Sequence, residues 1–245
     1  MKPVMFAVPL ALLLAVPAAA ATGMDKTDTA TLEDSVTVLN ALADAPDKGI
    51  PQELFARAQC ILVFPSVTKA AFIVGGKGGH GVASCRQPDG RMGPPAMYTV
   101  GGASIGFQAG VDQSDFVMLV MNETGMKHLL QDKFTIGAEA TATAGPVGRT
   151  ATAATDAQMH AQILSWSRSQ GLFAGVALDG SVVTPDKDAN KHLYGEKTSG
   201  AEILMDSKLS VPAAAKPAMD SIRRHMGAAV AKEAQEDAAK EKKQP

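Results

Sequence analysis

Three constellations in this sequence carry residue types that could do chemistry. Gly102-Ala103-Ser104-Ile105-Gly106 has the G-x-S-x-G spacing of a serine-hydrolase elbow, and Asp179 and His192 follow it as candidate triad partners. Such a serine is presented for attack only when a strand turns sharply into a helix. Here Phe107-Gln108-Ala109-Gly110 follows, which continues as strand and loop. Any chain of this length also offers an acid and a histidine, so an esterase at Ser104 is the least favoured activity. Gly76-Lys77-Gly78-Gly79-His80-Gly81 has G-x-G-x-x-G spacing. A dinucleotide site needs a helix after that motif, because the helix N-terminus holds the pyrophosphate. A β-like segment follows instead, and no companion acidic residue is evident, so the motif reads as a flexible hairpin turn.

The third constellation is sulfur and charge. Cys60 and Cys85 lack the paired short spacing of a zinc site. They fall in neighbouring predicted strands and can bond if those strands are adjacent and in register. His80, His128, His160, His192 and His225 are scattered singly, with no H-E-x-x-H spacing. No metal and no cofactor is therefore expected. Lys69, Lys77, Arg86, Arg91, Lys133, Arg149 and Arg168 fall at predicted strand ends and turns. They form either a solvated rim or a surface for anionic lipid headgroups, where each cation contributes about 1 kcal/mol.

These residues must be positioned by short elements. Thr31-Leu32-Glu33-Asp34 reads as a helix cap, after which Leu32, Val36, Leu39 and Ala43 share one face. Residues 22–30 before it read as loose. Pro51 suits the first turn of a second helix reaching Ala58. Separate strands are then expected at 60–64, 71–74, 81–85, 97–100 and 104–109. Phe116 to Met121 is continuously apolar, as a strand covered on both faces would be. Asn122 to Gln131 turns helical, with Met126, Leu129 and Leu130 facing inward. Phe134 to Thr143 alternates like a half-buried strand. Thr150 to Thr155 is rich in Ala and Thr. Residues 162–168 and 172–178 read as a hairpin around Gln170-Gly171, and Pro185 to Tyr194 as loop or short helix. From Pro217 the chain is helical, with Met219, Ile222, Met226 and Val230 on one face, and 232–245 is a charged, frayed end.

Short helices, then many strands, then a helix make an α+β protein, not a βαβ one. The expected core is a curved, mainly antiparallel β-sheet or barrel, with N-terminal short helices and a C-terminal helix. No clean linker appears between residues 50 and 210. The formal net charge of −2 excludes bulk nucleic-acid binding, which needs a clear positive excess. Two cysteines are too few for a disulfide-built scaffold. At the N-terminus, Lys2 precedes the apolar run Met5–Val16, and Pro17 and Ala18-Ala19-Ala20-Ala21 follow. That layout reads as a cleavable secretory signal over 1–20. The run is shorter than the ~20 residues of a spanning helix. The expected place of work is periplasmic or secreted, peripheral to a membrane.

Several stretches together resemble the SYLF domain. They are Ile61-Leu62-Val63-Phe64-Pro65-Ser66, Ala71-Phe72-Ile73-Val74-Gly75-Gly76 and Tyr98-Thr99-Val100-Gly101-Gly102. Ser114–Asn122 and Lys133–Gly137 add to them. The most telling are Ala144-Gly145-Pro146-Val147-Gly148-Arg149 and the run from Ser165-Trp166-Ser167-Arg168 to Val176. The resemblance assigns 31–210 to a SYLF-like domain and 211–245 to a C-terminal helix and charged tail. It implies lipid binding and brings no catalytic residues. The expected function is an exported, non-catalytic module docking on anionic phospholipid headgroups of the envelope. Lys69, Lys77, Arg149 and Arg168 are the candidate contacts. An envelope structural or protein-interaction role is the alternative, with an envelope protein as partner. Some fungal members bind actin, but for an exported chain actin is not expected as a partner.

Overall fold

The computed structural model describes residues 26–43, 49–148, 158, 160–169, 172–196 and 199–241. The segment 1–20, Arg149, the stretch 150–155 and the Gln170-Gly171 turn lie outside the described residues.

Helix α1 (Lys26–Ala43) and the short α2 (Gln52–Arg57) lead into two very long strands, β1 (Cys60–Cys85) and β2 (Ala96–Val120). Then come α3 (Glu123–Leu129), β3 (Phe134–Thr135), β4 (Ala142–Ala144), β5 (Ile163–Ser169), β6 (Leu172–Gly175) and β7 (Val182–Pro185). Helices α4 (Lys187–Tyr194), α5 (Gly200–Met205) and α6 (Lys216–Glu241) complete the chain. The fold is the expected α+β arrangement around a curled, mainly antiparallel sheet.

The expected series of short strands is in fact one hairpin. β1 and β2 pair from Cys60↔Val120 to Ala83↔Ala96, with register shifts between Phe64 and Val67 and between Ala71 and Ile73. The glycine-rich motif 76–81 is therefore strand, not turn. Its glycines let β1 bend back and cross its own beginning. A Cβ on Gly79 would lie 2.8 Å from Val67 Cγ2, and one on Gly81 would lie 2.3 Å from the Val63 carbonyl oxygen. Cys60 and Cys85, at the two ends of one strand rather than in two strands, meet at that crossing. Their Cα atoms are 4.0 Å apart and their sulfurs are bonded.

At the closed end the strands are buried on both faces. Ile61, Val63, Val117 and Leu119 pack under α1, α2 and α6 with Leu39, Phe55 and Ile222. Leu62, Phe64, Met118 and Val120 point the other way, onto Phe134, Ile163, Ile203 and Leu204. Two covered faces are why 116–121 is apolar without alternation. The outer edge of β2 is shared. β7 pairs with Tyr98–Gly101 and β5 with Asp115–Val120.

Three local expectations are corrected by tertiary contacts. α1 starts at Lys26, and Thr31 is a buried residue inside it whose carbonyl accepts a bond from Ser35 Oγ. Asp28 in its first turn meets His192 Nδ1 of α4 at 2.8 Å, which ties down residues 26–30 of the stretch expected to be loose, while 22–25 lie outside the described residues. The alternating segment 134–143 is broken at Gly137, whose φ of 87° turns the chain. The charged stretch after residue 231 continues α6 to Glu241.

Candidate functional site

The G-x-S-x-G motif lies inside β2, with Ser104 opposite Gly75. Strand continues on both sides of it, so the backbone lacks the strand-to-helix elbow that presents a nucleophile. Among the described residues no group of three His, Cys, Asp or Glu side chains is placed to hold a metal ion. Among them, too, no helix is long and apolar enough to cross a membrane.

The candidate cations divide sharply. Arg168 is largely buried, and its Nε donates to Asp115 Oδ2 at 2.6 Å. Asp115 Oδ1 also accepts the Ser66 backbone N–H at 2.9 Å. Pro65 and Ser66 bulge opposite Asp115, and Ser66 has a φ of 51°, the left-handed region. Pro65 has no N–H to give the ladder. Asp115 therefore ties β1, β2 and β5 together, and Arg168 is held by that tie. Arg86 is similarly occupied: its guanidinium donates to the carbonyls of Phe55, Ala56, Ala58 and Gly90 around the end of α2. Arg91 pairs with Asp89 at the exposed tip of the 86–95 turn.

Lys69 and Lys77 are different. They flank the bend of β1, where it turns back to cross itself. Lys69 is exposed and stands across from Asp112 on β2. Lys77 is half-buried, with its chain lying over the bare backbone of Gly102. Burial, and next the charge of Lys69, lower the Lys77 pKa, while Asp179 works in the opposite direction. Two ammonium groups thus share one end of the molecule, and the strand between them is uncharged.

That end also carries exposed apolar side chains that the sequence did not single out. Val111 on β2 is 73% exposed and Leu172 on β6 is 59% exposed. Val111 falls between the expected strands 104–109 and 116–121, and only the pairing with Ala70 shows that the strand runs through it. Beside the bend, between α1 and the strand crossing, lies a cleft of about 270 Å³ lined by Thr31, Asp34, Ser66, Thr68 and His80. His80 Nδ1 is 2.9 Å from Asp186 Oδ2, and Asp186 also caps α4 through the Ala189 N–H.

The family-specific stretches meet in the core rather than at this site. Trp166 is fully buried, and its Nε1–H donates to the Pro146 carbonyl at 2.9 Å. A Cβ on Gly145 would sit 2.0 Å from the indole, so only glycine fits there.

The family model described as "Las17-binding protein actin regulator" (Ysc84) matches residues 101–225. Protein YSC84 of Saccharomyces cerevisiae is 32% identical over 174 residues, covering 70% of this chain and 37% of that protein. SH3 domain-containing YSC84-like protein 1 of Xenopus laevis is 32% identical over 174 residues, 71% of this chain and 52% of that protein. LAS seventeen-binding protein 3 of Saccharomyces cerevisiae is 31% identical over 174 residues, 70% of this chain and 38% of that protein. The chain thus spans between about a third and a half of the curated relatives it matches. These names correct the expectation that actin lies outside the range of partners. That expectation rested on export, which is a matter of residues 1–20 and does not bear on what the folded surface accepts.

Proposed function

This chain belongs to the Ysc84 family of SYLF domains, and on that premise we propose that it is a non-catalytic docking module for anionic phospholipid headgroups. The observation that carries the reading is the pair Lys69 and Lys77, which flank the hairpin bend on one strand and lie close enough for the charge of one to act on the other. Packing two like charges together costs free energy in the free protein, and an anionic phosphate relieves it. Asp112 and Asp179 nearby keep the attraction modest, so binding is weak and salt-sensitive.

Vesicle flotation tests this. Phosphatidylglycerol-containing vesicles should carry the protein, neutral phosphatidylcholine vesicles less of it, and Lys69→Glu with Lys77→Glu should abolish the difference. Equal recovery with both vesicle types, or none with either, overturns the reading. We further propose that the protein works outside the cytoplasm, a reading supported by the apolar run 5–16 and by the Cys60–Cys85 bond. Two free thiols in unreduced protein, read by mass spectrometry, would count against that placement.

A second reading is favoured by the family description itself, which names an actin regulator. On this reading the chain docks on a protein filament or filament regulator. Co-sedimentation with filamentous actin separates the two: pelleting that survives the lysine changes supports the protein partner.

A further inference from the structure

The bend of the β1–β2 hairpin differs from the rest of the sheet in three respects. First, β7 leaves β2 at Gly101 and β5 joins it at Asp115, so among the described pairings residues 102–114 have β1 alone as neighbour. The sheet narrows there to a two-stranded ribbon. Second, beyond the Lys69–Asp112 pair the ribbon is uncharged: no Asp, Glu, Lys or Arg occurs between Lys69 and Lys77 on β1, or between Arg91 and Asp112 approaching along β2. Third, small and apolar side chains near its middle face solvent. Ala70 and Ala103 are exposed, and Val111, paired with Ala70, is the most exposed large apolar residue described.

Leu172 belongs to the same end. It pairs with Ser169, one residue beyond Arg168, which pairs with Asp115 at the base of the ribbon. Side chains alternate along a strand, so Val111 shares a face with Asp115 while Leu172 takes the opposite face. Apolar groups therefore stand on both faces of one end. A protein partner covers one face of a ribbon. A lipid layer, which imposes no shape, receives both at once.

We propose that this end enters the lipid layer end-on, with Val111 passing below the headgroups, Lys69 and Lys77 held at the phosphate level, and Leu172, level with the base of the ribbon, meeting the headgroup region from the opposite face. The proposal rests on the lipid-docking reading above and adds depth to it. Charges at the rim with Val111 beyond them match the order in which a membrane interface presents phosphate and then hydrocarbon.

The test uses the full chain with single tryptophans introduced by Val111→Trp, Leu172→Trp and Asp220→Trp. The only native tryptophan, Trp166, is buried and serves as a constant background. Asp220 is an exposed control on α6, the helix that meets the far end of the hairpin through Arg223 and the Met92 carbonyl. Phosphatidylcholine–phosphatidylglycerol vesicles with acyl-brominated lipid are the probe. The expected result is a blue shift and quenching that are strong at position 111, weaker at 172 and absent at 220. Val111→Asp should lower vesicle partitioning about tenfold, with the melting temperature unchanged. Flotation without quenching at 111 or 172 overturns insertion and leaves headgroup docking standing. No flotation of the unaltered protein overturns both. A blue shift at 111 that grows with protein concentration and needs no vesicles overturns insertion in favour of a second copy of this chain.

Discussion

The two ends of one hairpin behave as different materials. At the closed end β1 crosses itself, a disulfide joins Cys60 to Cys85, and the strands are buried on both faces. At the bend the same strands form a ribbon with no third strand among the described residues, and Val111 stands in solvent. Both ends are built of apolar residues and glycine. The difference teaches that burial here is decided by what the curl brings alongside. At the crossing, Gly79 and Gly81 admit another stretch of the same strand against their backbone. At the bend, Gly76 and Gly78 would meet only the facing strand's carbonyls at 3.8 and 3.9 Å.

That contrast can be broken at the closed end first. Cys60→Ser removes a bond that spans 25 residues and should cost about 3 kcal/mol. Denaturant midpoints measured with and without reductant would check it, since reductant should weaken only the unaltered protein. Gly81→Ala should cost about 2 kcal/mol or more, because its Cβ would collide with backbone at Val63. Gly78→Ala at the bend should cost well under half of that, and comparing the two melting temperatures sharpens the contrast. Asp115→Ala should cost about 1–2 kcal/mol, because Arg168 loses its carboxylate and the Ser66 N–H its acceptor. Arg168→Ala made in the same background should add little further, as a double-mutant cycle would register. Smallest of all, Lys69→Ala and Lys77→Ala should move stability by less than about 0.5 kcal/mol. A large loss from either lysine would show that the bend is structural and that the contrast between the two ends is wrong.

Several elements were legible because their pattern is local. Pro51 opens α2, Asn122 caps α3 through the Gly125 N–H, and Met219, Ile222 and Met226 line the buried face of α6. The β5–β6 hairpin follows its strand-like sequence. The candidate site was legible only in part. Lys69 and Lys77 stood out as cations near glycine-rich sequence, and they do share one end. Arg168 looked equivalent and is not, because its partner Asp115 lies 53 residues away. No local reading links those two positions.

The class of fold, the family and an uncharged glycine-rich stretch bounded by lysines are all legible in the linear sequence. Those are properties of composition and short-range order. That six expected strands are two, that the cysteines close one strand upon itself, and which cations the frame consumes emerge from the folded chain alone. The physical reason is curvature. A strand's pattern reports which residues alternate, but not how far the strand bends, and the bend sets which distant segment lies against it. The same apolar, glycine-rich sequence therefore becomes core where the hairpin meets itself and surface where it turns.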